Sequence, residues 1–450
     1  MTEPTPAAAR RHHGARTARR VRGLRGTLEA APDKSVSHRA LIFSALAAGE
    51  SAITGLLESE DVLATAGAVK ALGAGVTRDG PGAWRVSGAA WSSPAAPLDL
   101  GNSGTGVRLL MGAAARFDLE AVFTGDDSLS RRPMARVLDP LAAMGAHSEP
   151  AEGGRLPARL FGSRKLKAID YTPPVASAQV KSAILLAGLG ARGETVVREP
   201  RATRAHTETM APLYGADLSA ERDGEGAVAR VCGGAALTAF DLEVPGDPSS
   251  AAFAAAAGLI CPDSEITLRG VMTNSARFGL YQTLQEMGAD LTLTPAGTRA
   301  GEPLVDLTVR SSALKGVDVP PERAPSMIDE YPILSVVAAF ANGRTVMRGL
   351  AELRAKESDR LAASAAMLVA NGVRVELDAD SLTVEGCGPS GPPGGGVVLT
   401  HHDHRLAMSG LVMGLGAREA VTVDDVAMIA TSYPDFFADF AALGARVEDG

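Results

Sequence analysis

Cysteine, lysine and long apolar runs are all scarce in this chain, and each scarcity removes a class of function. The three cysteines, Cys232, Cys261 and Cys387, lie far apart in 450 residues. That spacing supports neither a disulfide framework nor a zinc site, and it suits a reducing compartment. No apolar run reaches the roughly 18 residues that a membrane helix needs. No apolar signal core appears near the start, so secretion is not indicated. No HExxH-like spacing offers metal ligands, and neither a metal nor any other cofactor is expected. An excess of basic charge is missing too: the net charge is −8, which argues against generic nucleic-acid binding. The expectation is a cytoplasmic protein with no membrane or nucleic-acid partner.

Charge is nevertheless unevenly spread. Residues 1–26 hold seven arginines and one acid, a net of +6 that leaves −14 for the rest. Residues 1–22 read as a disordered Arg-rich tail. An organelle transit segment is the alternative, but the stretch has no serine.

What the chain has in abundance is one repeated ending. LGAGV begins at Leu72, MGAHS at Met144, YGADL at Tyr214, MGADL at Met287, NGVRV at Asn371 and LGARV at Leu443. Each follows an amphipathic helix pattern, and the glycine is a helix stop. Two alternating strand patterns follow, as in "VRVELDADSLTVEG" (373–386). Ahead lie an alanine-rich helix, such as "AAFAAAAGLI" (251–260), and a strand such as "SEITLRGV" (264–271). The unit therefore reads strand, helix, strand, helix, strand, strand. Six copies predict an α/β protein of two similar domains with three units each. The boundaries fall at 33–243 for one domain and at 23–32 plus 244–450 for the other. The last copy runs out before its hairpin, and 21–30 is the expected source of the missing strand.

The polar motifs cluster where first helices begin. "DKSVSHR", "GNSGTGVR", "SAQVKS", "DPSSAAF", "DEYPILS" and "HHDHRLAM" all lie at such starts. Helix starts carry unpaired N–H groups and partial positive charge, so three starts per domain facing one cleft suit anions. Only seven positions are lysine against 37 arginines, so Lys34 in "DKSVSHR" and Lys356 in "AKESDR" stand out. A lysine can exchange a proton where arginine cannot. Ser35 and Arg39 lie on the same helix start, four apart and so on one face. "GNSGTGVRLL" (101–110) is a Gly-rich turn that matches neither a P-loop nor a dinucleotide fingerprint. Arg131 and Arg132 follow in "SLSRRPM", adjacent carboxylates in "SMIDEYP", and Arg405 in "HHDHR". Singly, these are ordinary surface or capping groups; together, at helix starts within one repeated unit, they describe a cationic site built for anions.

In order, "PDKSVSHRAL", "GNSGTGVRLL", "SLSRRPM", "ASAQVKSA", "PSMIDEYPIL", "LRAKESDRL" and "DHRLAMS" resemble the 5-enolpyruvylshikimate-3-phosphate synthase family over about residues 27–450. The resemblance implies the enolpyruvyl transferase-like inverse α/β barrel. It implies transfer of the enolpyruvyl group of phosphoenolpyruvate to the 5-hydroxyl of shikimate 3-phosphate. By motif, Lys34, Ser35, Arg39, Ser177, Ala178, Gln179, Arg204, Asp329 and Lys356 would hold shikimate 3-phosphate. Lys34, Gly104, Arg132, Gln179, Arg360 and Arg405 would hold phosphoenolpyruvate. Asp329 is expected to act on the hydroxyl, and Glu357, with Lys34 as rival, on the methylene. The family also implies glyphosate inhibition at the phosphoenolpyruvate site.

Four places depart from the family pattern. Ala31-Pro32 replaces Pro-Gly, Leu109 replaces a proline, Ala178 replaces a serine, and Thr431 stands where many relatives carry lysine. A UDP-N-acetylglucosamine enolpyruvyl transferase would carry a cysteine within about 123–134, and "FTGDDSLSRRPM" has none. A binding-only relative would lose Asp329, Glu357 or Lys34. RNA-end cyclisation would need a histidine nucleophile and a basic surface.

Overall fold

The structure, a computed structural model, describes residues 12–450. A helix apolar on every side is stable only where it is covered all round. Six largely buried helices organise the chain: Lys34–Leu46, Gly104–Ala114, Ala178–Gly188, Pro248–Ile260, Tyr331–Ala339 and His404–Gly416. All thirteen residues of Pro248–Ile260 and all nine of Tyr331–Ala339 are buried.

Each helix leads into a four-stranded sheet, and all six sheets share one strand order. In one of them Leu98–Asp99 runs parallel to Glu120–Thr124. That strand pairs antiparallel with Arg155–Phe161, which in turn pairs antiparallel with His147–Ala151. The parallel pair flanks the buried helix, and the antiparallel pair is the hairpin visible in the sequence. The six glycines that close the second helical segments, Gly73, Gly145, Gly215, Gly288, Gly372 and Gly444, have φ of 118°, 106°, 83°, 88°, 79° and 94°. Only glycine adopts this backbone region without a steric cost, so the repeated ending is a conformational requirement.

The chain divides into two compact α/β units. The first comprises Pro32–Pro245 with Thr298–Glu302. The second comprises the residues up to Ala31, Gly246–Gly297 and Pro303–Gly450. Each has its own apolar core. The strand before each crossing stays behind in its own unit. Arg25–Glu29 pairs parallel with Glu265–Met272 in the second unit, and Leu242–Glu243 pairs parallel with Glu50–Thr54 in the first. The backbone on each side of the crossings is tied the same way: Asp33 N donates to Pro245 O at 2.8 Å, and Asp247 N donates to Ala31 O at 2.7 Å.

Two expectations about the domains require correction. Within the supposed tail 1–22, Arg16–Arg19 is a strand lying antiparallel between Val421–Val423 and Arg446–Asp449. It supplies the strand that the last repeat lacks, while residues Arg25–Glu29 edge a different sheet. Ala18 is fully buried, and Arg16 and Arg19 pair with Asp449 and Glu448. Two of the arginines that made the segment look like a solvated tail, Arg16 and Arg19, thus belong to a strand and pair with acids at the other end of the chain. Residues 1–11 of the proposed tail lie outside the described residues. The second correction concerns Thr298–Glu302, which groups with the first unit rather than with 244–450. Glu302 is buried there beside His206 at 3.0 Å, and Arg299 pairs with Glu243 at 3.0 Å. Among the described residues no helix is long and apolar enough to cross a membrane, and no cluster of three side chains could hold a metal ion.

Candidate active site

In the first unit the three buried helices begin with side-chain caps. Asp33 accepts from Val36 N at 2.7 Å, Ser103 from Gly106 N at 3.1 Å and Ser177 from Val180 N at 3.4 Å. A cap relieves one of the unpaired donors of a helix start and fixes where the next residues point. The next residues are Lys34, Gly104 and Ala178. Lys34 forms an ion pair with the buried Asp61. Arg39, one turn along, is only 3% exposed. It donates to Thr207 Oγ1 at 2.7 Å, Ser182 Oγ at 2.8 Å and the carbonyl of Ser35 at 3.0 Å.

The Gly-rich turn and the Gln179 helix are joined by Arg108. Its Nη1 donates to Gln179 Oε1 at 2.7 Å and to Gly104 O at 3.0 Å, while Gln179 Nε2 donates to Thr105 Oγ1 at 2.9 Å. Arg132 reaches the same turn, donating to Asn102 Oδ1 at 2.5 Å and to Ser128 Oγ at 3.3 Å. A Cβ on Gly104 would lie 2.7 Å from Arg132 Nη1 and 3.1 Å from Arg108 Nη1. The absent side chain is what lets two guanidinium groups lie against the turn. Leu109, where the family has proline, is fully buried in an unbroken helix. His38 is also buried, with Nδ1 2.8 Å from Thr65 Oγ1. Burial, with Lys34 and Arg39 nearby, pushes its pKa well below the ordinary 6.5, so the ring is neutral.

The second unit carries carboxylates at the equivalent places. Arg360, 1% exposed, lies among three of them. Its Nε donates to Asp403 Oδ2 at 2.7 Å, its Nη1 to Asp329 Oδ1 at 3.1 Å, and its Nη2 is 2.5 Å from Glu357 Oε2. Burial alone would weaken the guanidinium's hold on its proton, but the charges of Asp403, Glu357 and Asp329 outweigh it and raise the pKa. Asp403 also caps the helix His404–Gly416 through Arg405 N at 2.9 Å, and it accepts from Ser358 Oγ at 3.1 Å. Lys356 Nζ lies 3.8 Å from Asp329 Oδ1. Arg405 Nη1 donates to Asp329 O at 3.1 Å and lies 3.5 Å from the buried Glu330. His401 and His402 are exposed, with φ of 51° and 60°. Thr431 donates to Met428 O at 2.7 Å, so that position supplies no cation.

The expected site residues thus fall into two groups. Lys34, Ser35, Arg39, Gly104, Arg132, Ser177, Ala178, Gln179 and Arg204 lie in the first unit. Asp329, Lys356, Glu357, Arg360 and Arg405 lie in the second. Sequence reasoning missed Arg108, Asp61 and Asp403. Arg108 and Asp403 stood inside quoted motifs. Nothing in the sequence pairs Asp61 with Lys34.

The chain matches the family model described as EPSP synthase (3-phosphoshikimate 1-carboxyvinyltransferase) over residues 19–440. It is 60% identical over 441 residues to the 3-phosphoshikimate 1-carboxyvinyltransferase of Maricaulis maris, covering 98% of each chain. It is 59% identical to that of Granulibacter bethesdensis, covering 92% of each. Among solved structures, the EPSP synthase of Acinetobacter baumannii aligns with a TM-score of 0.85 at 39% identity, over 97% of this chain and 100% of that one. The enolpyruvyl transferase NikO of Streptomyces tendae aligns with a TM-score of 0.75 at 19% identity, over 97% of this chain and 98% of that one, a likeness of fold.

Proposed function

The chain belongs to the EPSP synthase family, and on that premise we propose which side chains hold each substrate and which move each proton. The enzyme transfers the enolpyruvyl group of phosphoenolpyruvate to the 5-hydroxyl of shikimate 3-phosphate by addition and elimination, releasing phosphate, in the shikimate pathway. In the addition, C3 of phosphoenolpyruvate gains a proton, the hydroxyl loses one, and its oxygen bonds to C2. In the elimination, the methyl so formed returns a proton and the C2–O bond to phosphate breaks. One group must serve the hydroxyl and another the methylene.

Asp329 takes the hydroxyl proton, and Glu357 gives and later removes the proton at C3. The observation that carries this reading is the single buried guanidinium of Arg360 holding both carboxylates, at 3.1 and 2.5 Å. Two acid/base groups fixed by one rigid fork keep a constant spacing, as two-site proton transfer needs. Lys34 and Gln179 contact both substrates. Ser35, Arg39, Ser177, Ala178, Arg204 and Lys356 complete the shikimate 3-phosphate contacts. Gly104, Arg132, Arg360 and Arg405 complete those to phosphoenolpyruvate, where planar forks suit carboxylate and phosphate. Arg132 and Arg405 stabilise charge that develops on the carboxylate and the departing phosphate. No cofactor takes part, and the enzyme acts as a cytoplasmic monomer. Phosphate release from phosphoenolpyruvate tests the acceptor: it is expected with shikimate 3-phosphate and not with UDP-N-acetylglucosamine. The reverse preference would overturn the reading.

A further inference from the structure

The first unit contains a buried ionic cluster that the reaction above does not use. Lys181, on the Gln179 helix, lies 2.7 Å from Glu199 Oε2 and 2.7 Å from Glu208 Oε1, and the side chains are 1%, 1% and 5% exposed. One ammonium thus faces two carboxylates, and Glu208 Oε2 has no hydrogen-bond partner among the described residues. Burying such a set is costly, and it contributes little net stability compared with apolar packing. Its location suggests another use. Glu199 ends the strand Glu194–Glu199, and Glu208 lies in the short helix His206–Met210. The loop between them, 200–205, carries Arg204. Glu199 also accepts from Thr203 Oγ1, and from Thr203 N at 3.3 Å. A second link runs alongside, from Thr207 Oγ1 to Ser182 Oγ at 2.8 Å, onto the hydroxyl that also accepts from Arg39 at 2.8 Å.

We propose that Lys181, Glu199 and Glu208 form a buried latch that clamps the 200–205 loop to the start of helix Ala178–Gly188 and so positions Arg204 on the phosphate of shikimate 3-phosphate. Lys181 draws the two ends of the loop to one point on the helix that carries Ser177 and Gln179. Thr203, one residue before Arg204, is bonded to the same carboxylate twice. Lys181 is therefore a positioning residue that acts through Arg204. The inference rests on the reading of Arg204 as a phosphate contact.

The test is a set of purified full-length variants with Michaelis constants for both substrates. Lys181→Met is expected to raise the constant for shikimate 3-phosphate about 10- to 100-fold, the scale of a lost charge-assisted contact. The constant for phosphoenolpyruvate should change less than about threefold, within the small spread of indirect effects. Thr203→Val removes the loop's side-chain bond to Glu199, keeps the backbone one and leaves the ion cluster whole. It should give a smaller change in the same direction, and it decides the matter if Lys181→Met does not fold. Combining Lys181→Met with Arg204→Ala should be no worse for shikimate 3-phosphate than Arg204→Ala alone, because both act on one contact. Additive losses would overturn the latch while leaving Arg204 in the site. A lower Tm with unchanged Michaelis constants in both Lys181→Met and Thr203→Val would reduce the cluster to a structural element. An Arg204→Ala enzyme with an unchanged constant for shikimate 3-phosphate would remove Arg204 from the site, and the latch's role with it.

Discussion

The two units are built on the same plan, yet they carry different side chains on that plan. Asp33 and Asp247 cap equivalent helices, but Lys34 follows the first and Pro248 the second. Two residues after the caps Ser177 and Asp403 stand Gln179 and Arg405. In the first unit the buried cation Arg39 is held by two hydroxyls and a carbonyl. In the second the buried cation Arg360 is held by three carboxylates. Repetition supplies helix starts at corresponding places in each unit, and a few side chains near each start decide whether it presents cations and amides or bound carboxylates. Function here is carried by the site residues and not by the fold they share.

That contrast can be broken, most forcefully at Asp329. Asp329→Asn keeps the shape and removes the base, and turnover should fall by about two to four orders of magnitude with substrate binding retained. Turnover near that of the unaltered enzyme would take Asp329 out of the mechanism.

The two buried arginines sharpen the contrast next. Arg360→Leu leaves three carboxylates around an apolar group and should cost about 3–5 kcal/mol, as for a broken buried ion pair. Arg39→Leu leaves neutral acceptors and should cost about 1–3 kcal/mol, the penalty for unsatisfied polar groups. Denaturant unfolding of both variants measures the difference. Equal costs would mean that the carboxylate cage is not special.

Gly104→Ala probes the cationic side. Its methyl would meet Arg132 Nη1 at 2.7 Å, the end of a flexible side chain, so Arg132 should shift rather than the helix unfold. Binding of phosphoenolpyruvate should weaken, and binding of the longer inhibitor glyphosate should weaken more, by about 1–3 kcal/mol on the scale of overpacking. Inhibition and Michaelis constants for the two proteins check it, and equal losses would refute the steric account.

The smallest effect concerns pH. His38 is held neutral by burial, with a folded pKa well below 6.5. Below about pH 6.5 the unfolded chain binds a proton that the native state does not, so stability should fall as pH falls, by up to about 1.4 kcal/mol per pH unit. His38→Gln should flatten that slope relative to the unaltered protein in unfolding curves between pH 5 and 8. Parallel curves would show that His38 does not contribute.

How much of this was legible in the sequence depended on whether the information was local. A helix stop is a local event, so six glycines could be read directly, and all six have positive φ. The strand Arg16–Arg19 was not legible, because its partners Arg446–Asp449 lie at the far end of the chain. The scarcity of lysine singled out Lys34 and Lys356. The same criterion applied to Lys181 points to the ion cluster, but not to its partners.

The sequence by itself determined the repeat, the chemistry at each helix start and the family, because helix stops, caps and polar motifs act over a few neighbouring residues. Only the tertiary structure decided which charges meet. Asp329 and Glu357 of one repeat and Asp403 of the next converge on Arg360, and Lys34 meets Asp61 rather than a carboxylate of its own motif. Coulomb attraction and desolvation depend on distance and burial in space, and neither quantity exists until the buried helices have packed.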